Sequence, residues 1–415
     1  MTIFYSKIRS EMIAGGDTES VEQSPVDKSK ARVGGAIMIG LLIYLGTNNA
    51  WTLLFVVGLL LSVFLHEVGH FVTARRSGMK VTQFYMGFGP RLWSTTRNGV
   101  EYGIRAIPLG AFVRIIGMNN LDESEPADES RTYRAQSYPK RMLVITAGSL
   151  MHMIIAFVLF VGVYSFSGRY SETGSVRIFD APAAASPAAR AGVLKDDVVV
   201  SFDGVAVKTR GELISAIVSH DPGDVVPVKI SRDGTLLDFL VQLASNPANQ
   251  SVAFFGISGW SQDYVAASPI AAVGFALGDV ATTAVRSVRG VFTVLNPRNI
   301  VASVTSDVAD PMTRPSTVVG ASQVGGEIGK QEGLKGLLIL LAGVNIFVGI
   351  FNMFPLLPFD GGHAAIATYE RIRSRRGKRY YADVNKLMPV AAICIALLAF
   401  MFLTGLYLDT VKLKG

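Results

Sequence analysis

His66, Glu67 and His70 stand together as His66-Glu67-Val68-Gly69-His70 at the end of an apolar run. Residues four apart share one face of a helix, so both imidazoles can reach one Zn2+ while Glu67 faces a water molecule there. Ionisable groups inside an apolar helix are costly, and three within five positions require a compensating partner. A catalytic zinc takes three protein ligands and keeps one position open. The single cysteine, Cys394, excludes a thiolate cluster or a disulfide framework, so the third ligand must be His, Asp or Glu. Asn352-Met-Phe-Pro355-Leu-Leu-Pro358-Phe-Asp360-Gly361-Gly362 offers Asp360, after a helix that Pro355 and Pro358 interrupt. Non-helical backbone at membrane depth is tolerated where it is buried in protein or lines a wet cavity. Asp360 is also well suited to N-cap the helix that follows, and the two roles are compatible on different oxygens.

These groups must be carried by membrane segments. Half of the 415 residues are apolar and 17% are charged, against about 25% in an ordinary soluble chain. Apolar stretches fall at 33–48, 51–74, 142–165, 334–354 and 387–408, and crossing the hydrocarbon takes about 20 residues. The first either crosses, as a hairpin turned at Gly46, Thr47, Asn48 and Asn49, or lies in the interface. It follows a polar lead over 1–32 and is expected to stay rather than be removed as a signal peptide. The formal charge of +7 sits beside these stretches and does not point to nucleic acid. Arg75, Arg76 and Lys80 follow the second, Lys140 and Arg141 precede the third, and Arg371, Arg373, Arg375, Arg376, Lys378 and Arg379 lie between the last two, so these flanks are expected on the cytoplasmic side. His66 lies nine residues before Arg75, about 13 Å along a helix, and Asp360 lies a similar count before the Arg371 cluster. One span, 142–165, separates the two motif-bearing segments, so both are expected to run from outside to inside and to meet at one depth.

Between the spans lie two inserts. Val81–Leu92 and Glu101–Ile115 alternate in polarity around Gly87, Gly89, Pro90 and Gly110, a β-hairpin signature, and the acidic run Asp122, Glu123, Glu125, Asp128 and Glu129 reads as a solvated linker. Residues 166–333 form a large outer region. There, Ser186 to Gly204, a helical stretch at 210–219 and strands near 225–231 and 235–243 make a compact α+β pattern that resembles a PDZ domain over 176–244, with Asp196 where glycine is usual. Residues 265–295 are expected either to lie along the outer membrane surface or to pack on that domain. The expected fold is a multi-pass α-helical membrane protein with a membrane-associated β-hairpin insert and an extracytoplasmic α+β PDZ-like domain. Its parts are a polar extension 1–32, the 33–48 helix, a first catalytic part 51–165, the PDZ-like domain 176–244, an amphipathic outer region 245–333 and a second catalytic part 334–410.

The HEVGH motif, the Gly87-Phe88-Gly89-Pro90 hairpin, the PDZ-like insert and the NMFPLLPFDGG run together resemble the site-2 protease family of zinc intramembrane metalloproteases, in its bacterial PDZ-containing branch, over about residues 51–410. The resemblance implies Zn2+ held by His66, His70 and Asp360, Glu67 as catalytic base, and Asn352 helping to hold the substrate backbone. It further implies a multi-pass protein of the bacterial cytoplasmic membrane, with the active site near the cytoplasm. Its substrates would be single-span membrane proteins, of the anti-sigma-factor or signal-peptide-remnant kind, trimmed first by an upstream site-1-type protease. The chain departs from the family at Ala147-Gly148-Ser149-Leu150-Met151-His152 and at Phe359. His152 is expected to hydrogen-bond near the site; His363 either supports Asp360 or simply starts a helix; His220 reads as a loop residue. The hairpin, with Gly87 and Gly89, offers a strand edge for substrate pairing. The PDZ-like domain either grips a new C-terminus or filters substrates by size. A zinc transporter would scatter polar residues along several spans, and a silent scaffold has no need of Glu67; both fit this chain less well than a protease.

Overall fold

A computed structural model describes residues 28–118, 125–170, 176–178, 181–247, 249–257, 264–265, 267–296, 298–299, 317–374 and 378–412. Most of the polar extension, Asp122 and Glu123 of the acidic run, and Arg375 and Arg376 lie outside the described residues. The chain divides into two units, 1–162 with 272–415, and 163–271.

In the first unit, α1 (Lys28–Asn48) and α2 (Ala50–Arg76) follow each other with a single break at Asn49, whose side chain caps α2 by accepting from Trp51 N at 3.0 Å. Gly46, Thr47 and Asn48, expected in the turn, are helical; Thr47 and Asn48 bond back to carbonyls of the preceding turn of helix instead. After α2 come β1 (Val81–Arg97) and β2 (Val100–Ile115), longer than expected because Asn98 and Gly99, at φ 52° and 74°, close a tight hairpin turn. The pair bends at Gly87–Gly89, so residues 83–86 gain partners on both sides: Ala111 to Arg114 on one, Glu101 to Ile104 on the other. Residues 111–115 pair only with 81–86 among the described residues. Of the described acidic residues, Glu125 is exposed, as expected of a solvated linker, whereas Asp128 meets Lys80 and the exposed Glu129 forks Arg134 at 2.9 and 2.6 Å.

Helix α3 (Tyr138–Phe166) then crosses back. Later in the chain, α6 (Pro269–Val294), α7 (Val318–Asn352) and α9 (Met388–Tyr407) complete the long apolar helices, with α8 (Asp360–Arg373) between the last two. Among the described residues, five helices are long and apolar enough to cross a membrane, α6 among them. Helix α7 is two limbs that meet at non-helical Gly333 (φ 66°). The limb before Gly333, part of the expected outer region, lies against the start of α2: a Cβ at Gly325 would strike Phe55, and one at Gly329 would strike Trp51. The limb after it runs alongside α2 in the same sense, Leu341 over Gly58, Asn345 bonded to Ser62, and Asn352 reaching His66. The three basic flanks also meet at one level, Lys140 donating to Ser77 O at 3.1 Å and Arg141 pairing with Glu370 at 2.7 Å.

The second unit is an antiparallel sheet ordered β3 (Val176–Arg177), β4 (Val198–Phe202), β5 (Val225–Arg232), β6 (Thr235–Gln242), with α4 (Pro187–Ala191) and α5 (Arg210–Val218). One apolar core, including Ile178, Phe202, Leu213, Ile230 and Phe255, binds it together. Ser186 caps α4, and Thr209 with Glu212 forms a reciprocal capping box on α5. Asp196 keeps the left-handed turn that glycine usually supplies, at φ 70°, while the fully buried Asp197 accepts from Leu194 N and is forked by Arg232 at 2.8 Å. His220 is a loop residue just after α5, as expected, facing Asp203 at 3.3 Å and bonding Ala216 O.

Candidate metal centre

The last turns of α2 bring His66 and His70 onto one buried face, 5% and 6% exposed. His70 Nδ1 lies 2.7 Å from Val144 O of α3. That carbonyl can only accept, so the proton sits on Nδ1 and the lone pair of Nε2 is aimed inward. His70 Nε2 and His66 Nε2 face each other at 3.1 Å.

Asp360 reaches them from 290 positions further along the chain. Helix α7 stops at Asn352, and the chain turns through Met353–Phe359 before α8 begins at Asp360. The N-cap position is Phe359, so Asp360 occupies the first helical position and does not cap; its carboxylate points at the imidazoles instead. The two glycines after it permit this. A Cβ at Gly361 would strike the Met353 backbone, and one at Gly362 would lie 2.6 Å from the Leu356 carbonyl carbon and the Leu357 nitrogen. Asp360 Oδ2 thus comes to 3.4 Å from His66 Nε2 and 3.3 Å from His70 Nε2.

Three donors separated by 3.1 to 3.4 Å suit ligands sharing one tetrahedral zinc at about 2.0–2.2 Å from each. The donor set is two imidazole lone pairs and a carboxylate, all mutually within 4.8 Å, which is a fit to zinc on chemistry as well as spacing. Glu67 Oε1 lies 3.8 Å from His66 Nε2, beside the cluster rather than in it. Asn352 Nδ2 is 3.3 Å from His66 Nε2 and 3.4 Å from Asp360 Oδ2. A cavity of about 280 Å3 opens here, lined by Glu67, Phe88, Ala111, Val113, Asn352 and His363 among others. Gly87 and Gly89 do not line it. They make the bend that delivers Phe88, and a Cβ at Gly87 would sit 2.7 Å from Ile107 O.

Three further residues shape the centre. Gly148 of α3 lies directly against both imidazoles, where a Cβ would strike His66 and His70. Gly69 in turn admits the Ala147 carbonyl, 2.8 Å from where its Cβ would be. Asn345, 1% exposed, gives its amide hydrogens to Ser62 Oγ (3.1 Å) and Leu341 O (2.8 Å), so its oxygen accepts from His152 Nδ1 at 2.8 Å. This chain of bonds ties α2, α3 and α7 together one turn from the ligands and holds the His152 ring 5.0 Å from the His66 ring. The signal for Asn345 was a polar residue inside an apolar span. An Asn345→Leu variant, which strands the Ser62 and His152 partners, is expected to lose about 1–3 kcal/mol of stability. Thermal unfolding in detergent reads this, and a midpoint equal to wild type would refute the network.

The family model described as Peptidase family M50 matches residues 54–398. Zinc metalloprotease Rip1 of Mycobacterium tuberculosis (strain ATCC 25618 / H37Rv) is 34% identical over 389 residues, covering 85% of this chain and 95% of its own length. Zinc metalloprotease Rip1 of Mycolicibacterium smegmatis is 36% identical over 394 residues, with the same shares covered. Among solved structures, the PDZ domain of an SdrC-like protein from Listeria innocua matches at 24% identity over 20% of this chain and 91% of that one, with a TM-score of 0.18.

Proposed function

The chain belongs to peptidase family M50 and is a zinc metalloprotease with several membrane-crossing helices, and from that premise we propose that it cuts single-span membrane proteins within the bilayer, as a step of regulated intramembrane proteolysis. The proposed substrates are anti-sigma-factor or signal-peptide-remnant segments first trimmed by a site-1-type protease. The proposed setting is a bacterial cytoplasmic membrane, with the centre toward the cytoplasm and the PDZ-like unit outside. The observation that carries the reading is the convergence of His66, His70 and Asp360, from two distant helices, on one point beside Glu67.

In this reading His66, His70 and Asp360 hold the zinc. When bound, zinc supplies Lewis acidity to a scissile carbonyl and makes water a competent nucleophile near neutral pH. Glu67 takes the proton from that water and returns it to the leaving amine. His70 keeps its Nε2 lone pair available through the bond to Val144 O. Asn352 holds the substrate backbone at the cavity wall. Positive flanks gathered at one end of the spans support the cytoplasmic placement.

A transmembrane helix shields its own peptide bonds, so the substrate must unwind before it is cut. The edge proposed to receive it is 111–115, of which Ala111, Phe112, Val113 and Ile115 line the cavity and which pairs on one side only among the described residues. Gly87 and Gly89 contribute by setting the bend. The Val113 N–H on this edge is already bonded to the Glu67 carboxylate, so the test falls on its neighbour on the same side of the strand: an Ala111→Pro variant, which removes one N–H from that edge, is expected to cleave about threefold to tenfold more slowly, the cost of one hydrogen bond. Ala111→Ser keeps the N–H and should cleave as wild type. Equal rates for the proline variant, at unchanged zinc content, would reject the edge. The reading as a whole is tested by cleavage of a purified single-span substrate, with fragments sized by mass; a cut outside the hydrophobic segment would overturn it.

A further inference from the structure

Two cavities away from the zinc ligands share Tyr380. The first, about 330 Å3, is lined by four guanidinium groups, Arg134, Arg141, Arg371 and Arg379, and one carboxylate, Glu370. Two of the four are neutralised: Arg141 pairs with Glu370 at 2.7 Å and Arg134 with Glu129 at 2.6 Å. Arg379 donates to the Ala135 carbonyl at 2.7 Å, a bond that leaves its charge uncompensated. No carboxylate pairs with Arg371 among the described residues. The second cavity, about 380 Å3, is mainly apolar, with Leu357, Ile366, Leu387 and Val390 in its walls and Asp383 and Lys386 as its two charged lining residues. Both lie where spans begin. Tyr138, Pro139 and Arg141 open α3, and Val390 and Ala391 open α9.

A cationic chamber beside an apolar one, with Tyr380 common to their walls at the end of membrane spans, has the polarity of an amphiphile with an anionic head. Basic pockets between helices at this level attract lipid phosphate. We propose that the two cavities together bind one anionic phospholipid, its phosphate between Arg371 and Arg379 and an acyl chain against Leu387 and Val390. A free phosphate would need only the first chamber, and a zwitterionic lipid would gain little from two unbalanced guanidinium groups.

The test is native mass spectrometry of the delipidated full-length protein, with phosphatidylglycerol and phosphatidylcholine of equal chain length in competition. Wild type should retain phosphatidylglycerol preferentially, and free glycerol phosphate should not displace it. Replacing both arginines (Arg371→Gln with Arg379→Gln) should weaken retention about thirtyfold, from an effect of about fivefold at each basic group near a membrane surface. Val390→Trp, which fills the apolar chamber, should also reduce it. Equal retention of the two lipids by wild type overturns the proposal whatever the variants do. Displacement by glycerol phosphate overturns it in favour of a free-phosphate site, and undiminished retention by a folded double variant overturns it as well.

Discussion

A Glu67→Gln variant is expected to lose cleavage by about 10²- to 10⁴-fold, the range that a positioned general base contributes, while retaining its zinc. The amide has the shape of the carboxylate but cannot accept the water proton. Glu67 Oε1 stands 3.8 Å from the His66 nitrogen, next to three donors that satisfy a zinc ion without it. Metal analysis and cleavage therefore separate for this residue. They should fall together for Asp360→Ala, whose carboxylate is one of the three converging groups. A Glu67→Gln protein that still cuts at the wild-type rate would move the base elsewhere, with His363, on the same cavity wall, as the first place to look. Such a protein that loses zinc would make Glu67 a ligand.

The second large effect is expected at a residue with no reactive group. Gly148→Ala adds one methyl where His66 and His70 already stand, and the nearest ring atoms lie too close for any Cβ. Either α3 withdraws from α2 or the imidazoles turn away from Asp360. Overpacking of this kind costs about 1–3 kcal/mol, and here the strain falls on the metal ligands, so zinc affinity should drop about five- to 150-fold and cleavage with it. Gly162, on the same helix, has nothing within 4 Å of its Cβ position. Gly162→Ala should therefore keep zinc and activity, which distinguishes crowding at the ligands from a general dislike of alanine in α3. Normal zinc content in Gly148→Ala would show that the helices can part without cost.

Rigid support for the ligands comes from three directions. Val144 O fixes one ring, the Asn345 chain of bonds joins three helices beside the other, and Gly361 and Gly362 press the start of α8 onto the turn that precedes it. Each works by close contact between segments remote in sequence. The same holds for the strand edge. Alternation marks 81–115 as a hairpin, yet nothing in alternation says that the bend at Gly87–Gly89 gives 83–86 two neighbours and leaves 111–115 with one.

His66, Glu67 and His70 were readable because a helix repeats every 3.6 residues, so spacing alone puts both imidazoles on one side, and an apolar run makes three ionisable groups conspicuous. Asp360 was readable by its motif, a carboxylate after an apolar run that prolines interrupt; the span count did not anticipate α6, which is also long and apolar enough to cross and lies between the two motif-bearing segments. The reversal at Gly333, the release of Asp360 from capping, and the roles of Gly148 and Asn345 were not, because a glycine or an amide carries no mark of what will be packed against it. Local periodicity and net polarity are properties of neighbours along the chain. The distance between two imidazoles and a carboxylate nearly 300 residues away is set by how closely three helices can approach, and that is decided by which side chains are missing between them.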